Sequence, residues 1–275
     1  MNFWNKFNLP KCILFLFSFF CTLYIFSIEF TIIIPSYNNE DYYYRNLDSI
    51  VHQKTDAHIK IIYINDCSTD HTGQLVDAYV NQYNLQSLIT VIHNQKRVGA
   101  LANLYNAIHQ IEDTRVVVVV DGDDWLAHDQ VLKRLELEYL NKDIWLTYGQ
   151  YLYYPEGFDG ICKEVPHEIM QTNRFRQFSW VTSALRTFYA GLFKRIKRKD
   201  LQYKNEFFPM AYDVAMMMPM LEMASRGHIS FIPDILYVYN HRNMLSDHNT
   251  NRELQAALTH VIYARKPYKP FDVLF

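Results

Sequence analysis

The chain has 275 residues, a formal charge of −2 and ordinary apolar and charged fractions, which give no basis for a nucleic-acid binder and allow one large or two small globular domains. The four cysteines (Cys12, Cys21, Cys67 and Cys162) form neither a CxxC pair nor a zinc-like Cys/His spacing, so neither a zinc site nor a disulfide framework is expected. Aromatic residues make up 16% of the chain, mostly tyrosine, a composition that fills cores and also suits flat or sugar-like ligands.

In chain order, the first element is an apolar run of 17 residues from Cys12 to Ile28, preceded by Lys6 and Lys11. Its length is at the lower limit for a membrane-spanning helix. No A-x-A-like site ends it, so residues 1–28 read as an uncleaved single-pass anchor in preference to a signal peptide. The flanking lysines favour a cytoplasmic N-terminus, while the absence of an N-x-S/T sequon leaves the side of the membrane open.

From residue 29 strands alternate with helices. Phe30–Ile34, Ile59–Ile64, Leu88–Ile92 and Val116–Val120 are rich in β-branched residues and read as buried strands. Between them lie helical patterns to about Gln53, around Leu75–Val80, and from Gly99 to Ile111, with Leu101, Leu104, Tyr105 and Ile108 on one face. Asn38 or Asn39 could cap the first helix, and Ser68, Thr69 or Asp70 the second. The alternation predicts an open, twisted, mainly parallel sheet with helices on its faces. Further on, helices are expected over Gln130–Leu140, Val181–Ile196, Asp213–Ala224 (with Pro219 as a kink) and Asn251–Ala264. Ile144–Tyr148, Ile229–Ile232 and Leu236–Tyr239 are expected strands, and residues 151–177 are expected to be mostly loop. The basic run Lys194–Lys199 reads as a solvated helix face, with contact to anionic lipid as the alternative.

Three strand ends carry polar clusters: Pro35-Ser36-Tyr37-Asn38, Asn65-Asp66-Cys67-Ser68 and Asp121-Gly122-Asp123-Asp124. In a parallel sheet these ends fall on one rim, where ligands of open α/β folds bind. Neither a Walker loop nor a GxGxxG turn is present. Three carboxylates within four residues repel one another unless a cation screens them, which suggests Mn2+ or Mg2+ bridging to phosphate.

These clusters, with His93–Gly99 leading into Ala102-Asn103-Leu104-Tyr105-Asn106-Ala107, resemble the successive signatures of family 2 glycosyltransferases over roughly residues 29–240. Leu185-Arg186-Thr187-Phe188-Tyr189, Ala211-Tyr212-Asp213 and Tyr237-Val238-Tyr239-Asn240 are similar to one bacterial and viral branch of that family. The resemblance implies a GT-A (Rossmann-like) fold over 29–240 with a helical tail at 241–275 packed on it. It implies transfer of a sugar from a nucleotide-sugar, a UDP-sugar, to a glycan, lipid or protein acceptor with inversion. On this resemblance Pro35, Ser36, Tyr37, Asp66 and Arg97 line the nucleotide site, with Asp66 on the base and Asn65 replacing a common aspartate. Asp121 and Asp123 contact the ribose or a metal-bound water. Asp123 and Asp124 hold the metal, Asp124 as first choice, and His241 is a further candidate ligand. Trp125 is expected to pack. Inversion needs a general base for the acceptor hydroxyl, and Asp213, at the start of a late helix, is the candidate. A sugar-binding protein without activity has no use for that base, and a nucleotidyltransferase usually begins with a glycine-rich basic loop, so both alternatives rank behind.

Overall fold

The computed structural model describes residues 27–245 and 250–275. The expected membrane anchor lies almost entirely outside the described residues. Among the described residues no helix is long and apolar enough to cross a membrane.

One eight-stranded sheet forms the frame. Its first half follows the sequence pattern. Strands β1 (Glu29–Ser36), β2 (His58–Asn65), β3 (Ile89–His93) and β4 (Val116–Val119) are mutually parallel. Helices α1 (Tyr43–Val51), α2 (Thr72–Gln82) and α3 (Ala100–Ile108) connect them. The centre is dry: Phe30, Ile32, Ile33, Ile34 and Val117–Val119 have no exposed surface. That is what a strand packed on both faces demands of its side chains. Leu101, Leu104 and Ile108 of α3 are likewise fully buried, as their spacing predicts.

The second half departs from expectation in three places. The helix expected over Val181–Ile196 is instead strand β7 (Arg186–Tyr189) followed by a short helix, α6 (Ala190–Lys194). β7 runs antiparallel between β4 and β6 (Leu146–Tyr154), and all four of its residues are buried. Its Thr187 hydroxyl meets Tyr139 Oη at 2.8 Å and Thr147 Oγ1 at 2.6 Å, so the polar groups inserted into the core are hydrogen-bonded. β6 extends to Tyr154, into the segment expected to be loop, because it pairs with β10 (Ile229–Asn240) along its length. The two short strands expected around Pro233 are one strand with register shifts between Ile232 and Tyr237; proline cannot donate to the ladder, and the strand accommodates it with an irregularity.

The remaining elements are β5 (Trp125–Leu126), antiparallel to β10 at the sheet edge, α4 (Val131–Tyr139), α5 (His167–Gln171), the small hairpin β8–β9 (Gln202–Tyr203 and Glu206–Phe207), α7 (Tyr212–Met223), which runs through Pro219, and α8 (Arg252–Tyr263). The strand order across the large sheet is β3-β2-β1-β4-β7-β6-β10-β5. Asn251 caps α8 by accepting from Leu254 N at 2.9 Å, and Leu258 and Ile262 of α8 are buried. A buried ion pair ties this end together. Arg176, 8% exposed, donates to both oxygens of the fully buried Glu222, and Tyr268 N donates to the same carboxylate at 2.9 Å. The basic run is also engaged: Lys194 pairs with Asp113 at 2.7 Å and Arg198 lies over Phe207 at 5.4 Å.

Candidate active site

The carboxyl ends of β1, β2 and β4 open onto a cleft of about 240 Å³, and β7, β10 and α7 close its other side. Backbone geometry brings the first two loops together. Asn38 and Cys67 adopt left-handed φ values of 53° and 59°, which turn both chains sharply off their strands. Asn38 N donates to Ser68 Oγ at 3.0 Å, Thr69 N to Asn38 Oδ1 at 2.8 Å, and Asn39 N to Thr72 Oγ1 at 2.7 Å. The side chains expected as helix caps therefore knit the loops to one another, and α1 has no side-chain cap. Asp70 also turns back, accepting from Thr72 N at 2.9 Å at the start of α2.

Pro35, Ser36, Tyr37, Asp66 and Arg97 all line the cleft. Ser36 is 3% exposed, and its hydroxyl accepts from Tyr63 Oη at 2.7 Å and Asn39 Nδ2 at 2.9 Å, so it supports the wall. Arg97 stacks on Tyr37, with Cζ 3.7 Å from the ring centroid, which joins two residues sixty positions apart into one flat surface. Asp66, 3% exposed, accepts from Val98 N (3.0 Å), Gly99 N (2.8 Å) and Asn94 Nδ2 (2.7 Å). Its carboxylate thus clasps the 94–99 loop against the end of β2.

The acidic turn is held from four directions. Gly122 N donates to Pro35 O at 3.1 Å, and a Cβ on Gly122 would stand 2.5 Å from Ser36 Oγ, so only glycine lets the turn pass this closely over β1. Asn46 of α1, fully buried, donates to the carbonyls of Asp121 (2.9 Å) and Asp124 (2.8 Å). Asp121 accepts from Arg186 Nη2 at 2.9 Å and from the Tyr212 hydroxyl. Asp123 accepts from Asn243 Nδ2 at 2.7 Å. Burial, with Asp121 beside it, raises the Asp123 carboxyl to about 6. Trp125 is 5% exposed under the Arg45 guanidinium, 3.9 Å away, a packing role as expected.

Two of the side chains expected as metal ligands are engaged in other contacts. Asp124 is 1% exposed, and both its oxygens are taken by β10: Tyr237 Oη at 2.6 Å and Asn240 N at 2.7 Å. It straps the turn to β10. His241 does not line the cleft and pairs with Glu156 at 3.3 Å, while Asn243, two residues on, reaches Asp123. Among the described residues no set of three His, Cys, Asp or Glu side chains could hold a metal by itself.

Asp213 lies in the first turn of α7 and lines the same cleft as the acidic turn, 92 residues away in sequence at Asp121. The residue at its helix start, Ala211, takes a left-handed φ of 54° and directs the chain into the cleft. Burial pushes the Asp213 carboxyl above its ordinary range, and Arg186 opposes that shift. Arg186 of β7 is 4% exposed; its Nη2 contacts Asp121 and Tyr212 Oη (3.2 Å), and its Nη1 lies 3.9 Å from Asp213 Oδ2. Sequence pattern does not single out Arg186, Tyr237 or Asn243 as site residues. Arg186 and Tyr237 fall in segments that resemble a branch of the family but carry no local sign of a site role, and each of the three is brought to the cleft by strand pairing or a loop far along the chain.

The profile described as "Glycosyl transferase family 2" matches residues 31–199. Glycosyltransferase GlyG of Streptococcus pneumoniae is 26% identical over 226 residues, covering 78% of this chain and 71% of GlyG. The poly(ribitol-phosphate) β-N-acetylglucosaminyltransferase TarS of Staphylococcus aureus is 31% identical over a shorter stretch of 102 residues, 36% of this chain and 17% of TarS. The crystal structure of TarS residues 1–349 with UDP-GlcNAc superposes with a TM-score of 0.57 at 23% identity, over 78% of this chain and 59% of that one. A mannosyltransferase of Pyrobaculum calidifontis, solved with GDP-Man and Mn2+, gives 0.52 at 17% identity over 78% of this chain and 57% of that one. The superpositions establish a GT-A-like fold, and with the profile spanning more than half of the sequence, this chain belongs to glycosyl transferase family 2.

Proposed function

We propose that the protein transfers a sugar from a UDP-sugar to an acceptor hydroxyl with inversion at the anomeric carbon. The observation that carries this reading is the meeting, in one cleft, of the β1, β2 and β4 ends with an aspartate from α7. Tyr37 and Arg97 offer a stacked surface for a flat base, and Asp66 stands beside them. The acidic turn faces the part of the cleft left for ribose and diphosphate. The UDP-GlcNAc bound by TarS supports the choice of donor class.

Asp213 is the general base. As the acceptor oxygen forms its bond to the anomeric carbon, its proton passes to an Asp213 carboxylate oxygen. The bond from that carbon to the diphosphate oxygen breaks with its electron pair, and UDP leaves. Asp123, in place of Asp124, would hold a divalent cation, with Asn243 orienting its carboxylate. When bound, that cation neutralises charge on the departing diphosphate. The Mn2+ in the Pyrobaculum mannosyltransferase structure supports its use. The apolar segment Cys12–Ile28 anchors the domain at a membrane.

The test is hydrolysis of a panel of UDP-sugars with and without Mn2+, comparing wild type with Asp213→Asn. The wild type is expected to release UDP from at least one donor in a cation-dependent way, and the variant to lose that turnover. Failure of the wild type to bind or turn over any UDP-sugar overturns the donor class, and full turnover by Asp213→Asn overturns the base.

A further inference from the structure

We infer that Arg186 is the positioning residue that sets the distance between the donor platform and the base, bridging Asp121 and Asp213 with one guanidinium. The inference rests on the reading of Asp213 as general base.

Three observations carry it. First, Arg186 is rooted in the sheet: its backbone pairs with Val119, two residues before Asp121, so arginine and acidic turn share one rigid frame. Second, Asp121 is gripped at both oxygens. Arg186 Nη2 holds Oδ2 at 2.9 Å, and the Tyr212 hydroxyl holds Oδ1. Tyr212 immediately precedes Asp213 and is itself 3.2 Å from Arg186 Nη2, so the start of α7 is tied to the acidic turn through two side chains. Third, Nη1 stands 3.9 Å from Asp213 Oδ2, an ion pair too long for a hydrogen bond. The charge therefore orients the Asp213 carboxylate and favours its ionised form without occupying the oxygen that must take a proton. Lysine would substitute only in part, because a single ammonium point cannot reach both carboxylates as a planar fork does. Arg186 Nε is buried without a partner, so this guanidinium is placed for its two terminal nitrogens and not for full hydrogen bonding.

The experiment is a double-mutant cycle on Arg186→Met and Asp213→Asn, with Arg186→Lys as the conservative variant. Turnover of the best-hydrolysed UDP-sugar with Mn2+, the dissociation constant of UDP with Mn2+ by calorimetry, and the melting temperature are read for each. Arg186→Met is expected to lower kcat about 100-fold, the scale of an ångström-level misplacement, with UDP affinity within about threefold of wild type. In the Asp213→Asn background it should cost less than about threefold more, since residues acting as a unit are not additive. Arg186→Lys should recover only part of the loss. Should Arg186→Met fail to fold, Arg186→Lys in the same cycle decides. The inference is overturned if the Arg186 variant keeps kcat near wild type, if the two losses multiply in full, or if UDP affinity falls as far as turnover does. If Asp213→Asn itself keeps full turnover, the base reading fails and the inference goes with it, a result distinct from loss at Asp213 with none at Arg186.

Discussion

Residues 29–126 and the remainder of the chain are built on different principles, although both contribute to one cleft. Up to Val119 the first part is a parallel sheet with a dry centre, whose strands are joined in turn by a loop and a helix. Its site residues are strand ends and the loops just after them. The second part threads an antiparallel strand into the sheet, carries an irregular β10, and is fastened by buried charge at Arg176 and Glu222. Its contributions to the cleft, Arg186, Asp213 and Asn243, come from a strand, a helix start and a loop with no common local pattern. The first half supplies a platform whose shape follows from local sequence, and the second supplies groups whose positions depend on long-range pairing.

The largest test of that division is at Asp213. Replacement by asparagine should lower turnover by about 10²–10⁴-fold, the scale of general-base catalysis, while UDP binding, assigned to the first half, stays near wild type in calorimetry. Burial raises the Asp213 carboxyl, and a base must be ionised, so kcat/KM should rise with pH through a value above the usual carboxylate range. Comparable loss of UDP affinity in this variant would mean that the halves are not separable in function.

Arg176→Met tests how the second half is held. Breaking a buried pair leaves the Glu222 carboxylate without its partner, and urea unfolding should show a loss of about 3–5 kcal/mol. A loss below about 1 kcal/mol would mean that apolar packing by itself holds both halves.

Gly122→Ala probes the tightest approach in the first half. The new Cβ would meet Ser36 Oγ at 2.5 Å and Asn39 Nδ2 at 2.7 Å, both already held in hydrogen bonds. The expected cost is about 1–3 kcal/mol of stability, with weakened UDP binding as the turn is displaced. The smallest effects should separate two neighbours. Asp124→Asn removes an acceptor from the strap to β10 and should cost about 1–2 kcal/mol while leaving manganese dependence intact. Asp123→Asn should leave the melting temperature nearly unchanged and raise the manganese concentration needed for turnover. The reverse pattern would restore Asp124 as the ligand.

Much of the platform is legible in the amino-acid sequence. The β-branched runs Phe30–Ile34 and Val116–Val120 mark central strands, because only residues that tolerate burial on both faces can occupy them. The polar clusters at their ends mark the rim. The arginine on β7 is not legible, since Arg186-Thr187-Phe188-Tyr189 sits in a stretch that also satisfies a helical period, and only pairing with Val116–Val119 makes it a strand. The contacts of Asp124 and His241 are not legible for a related reason: composition shows which side chains could ligate a cation, but not which also meet β10 or Glu156.

By itself, then, the sequence determined the alternating half of the sheet, the three polar strand ends, and Asp213 as a carboxylate at a helix start, because burial patterns and turn chemistry act over a few residues. Only the tertiary structure decided that Asp213 lines the same cleft as the acidic turn, that Arg186 lies between them, and that Asn243 reaches Asp123. Those outcomes depend on which strands pair and in what register, an energy that is settled between residues about a hundred positions apart and leaves no mark in any local stretch of chain.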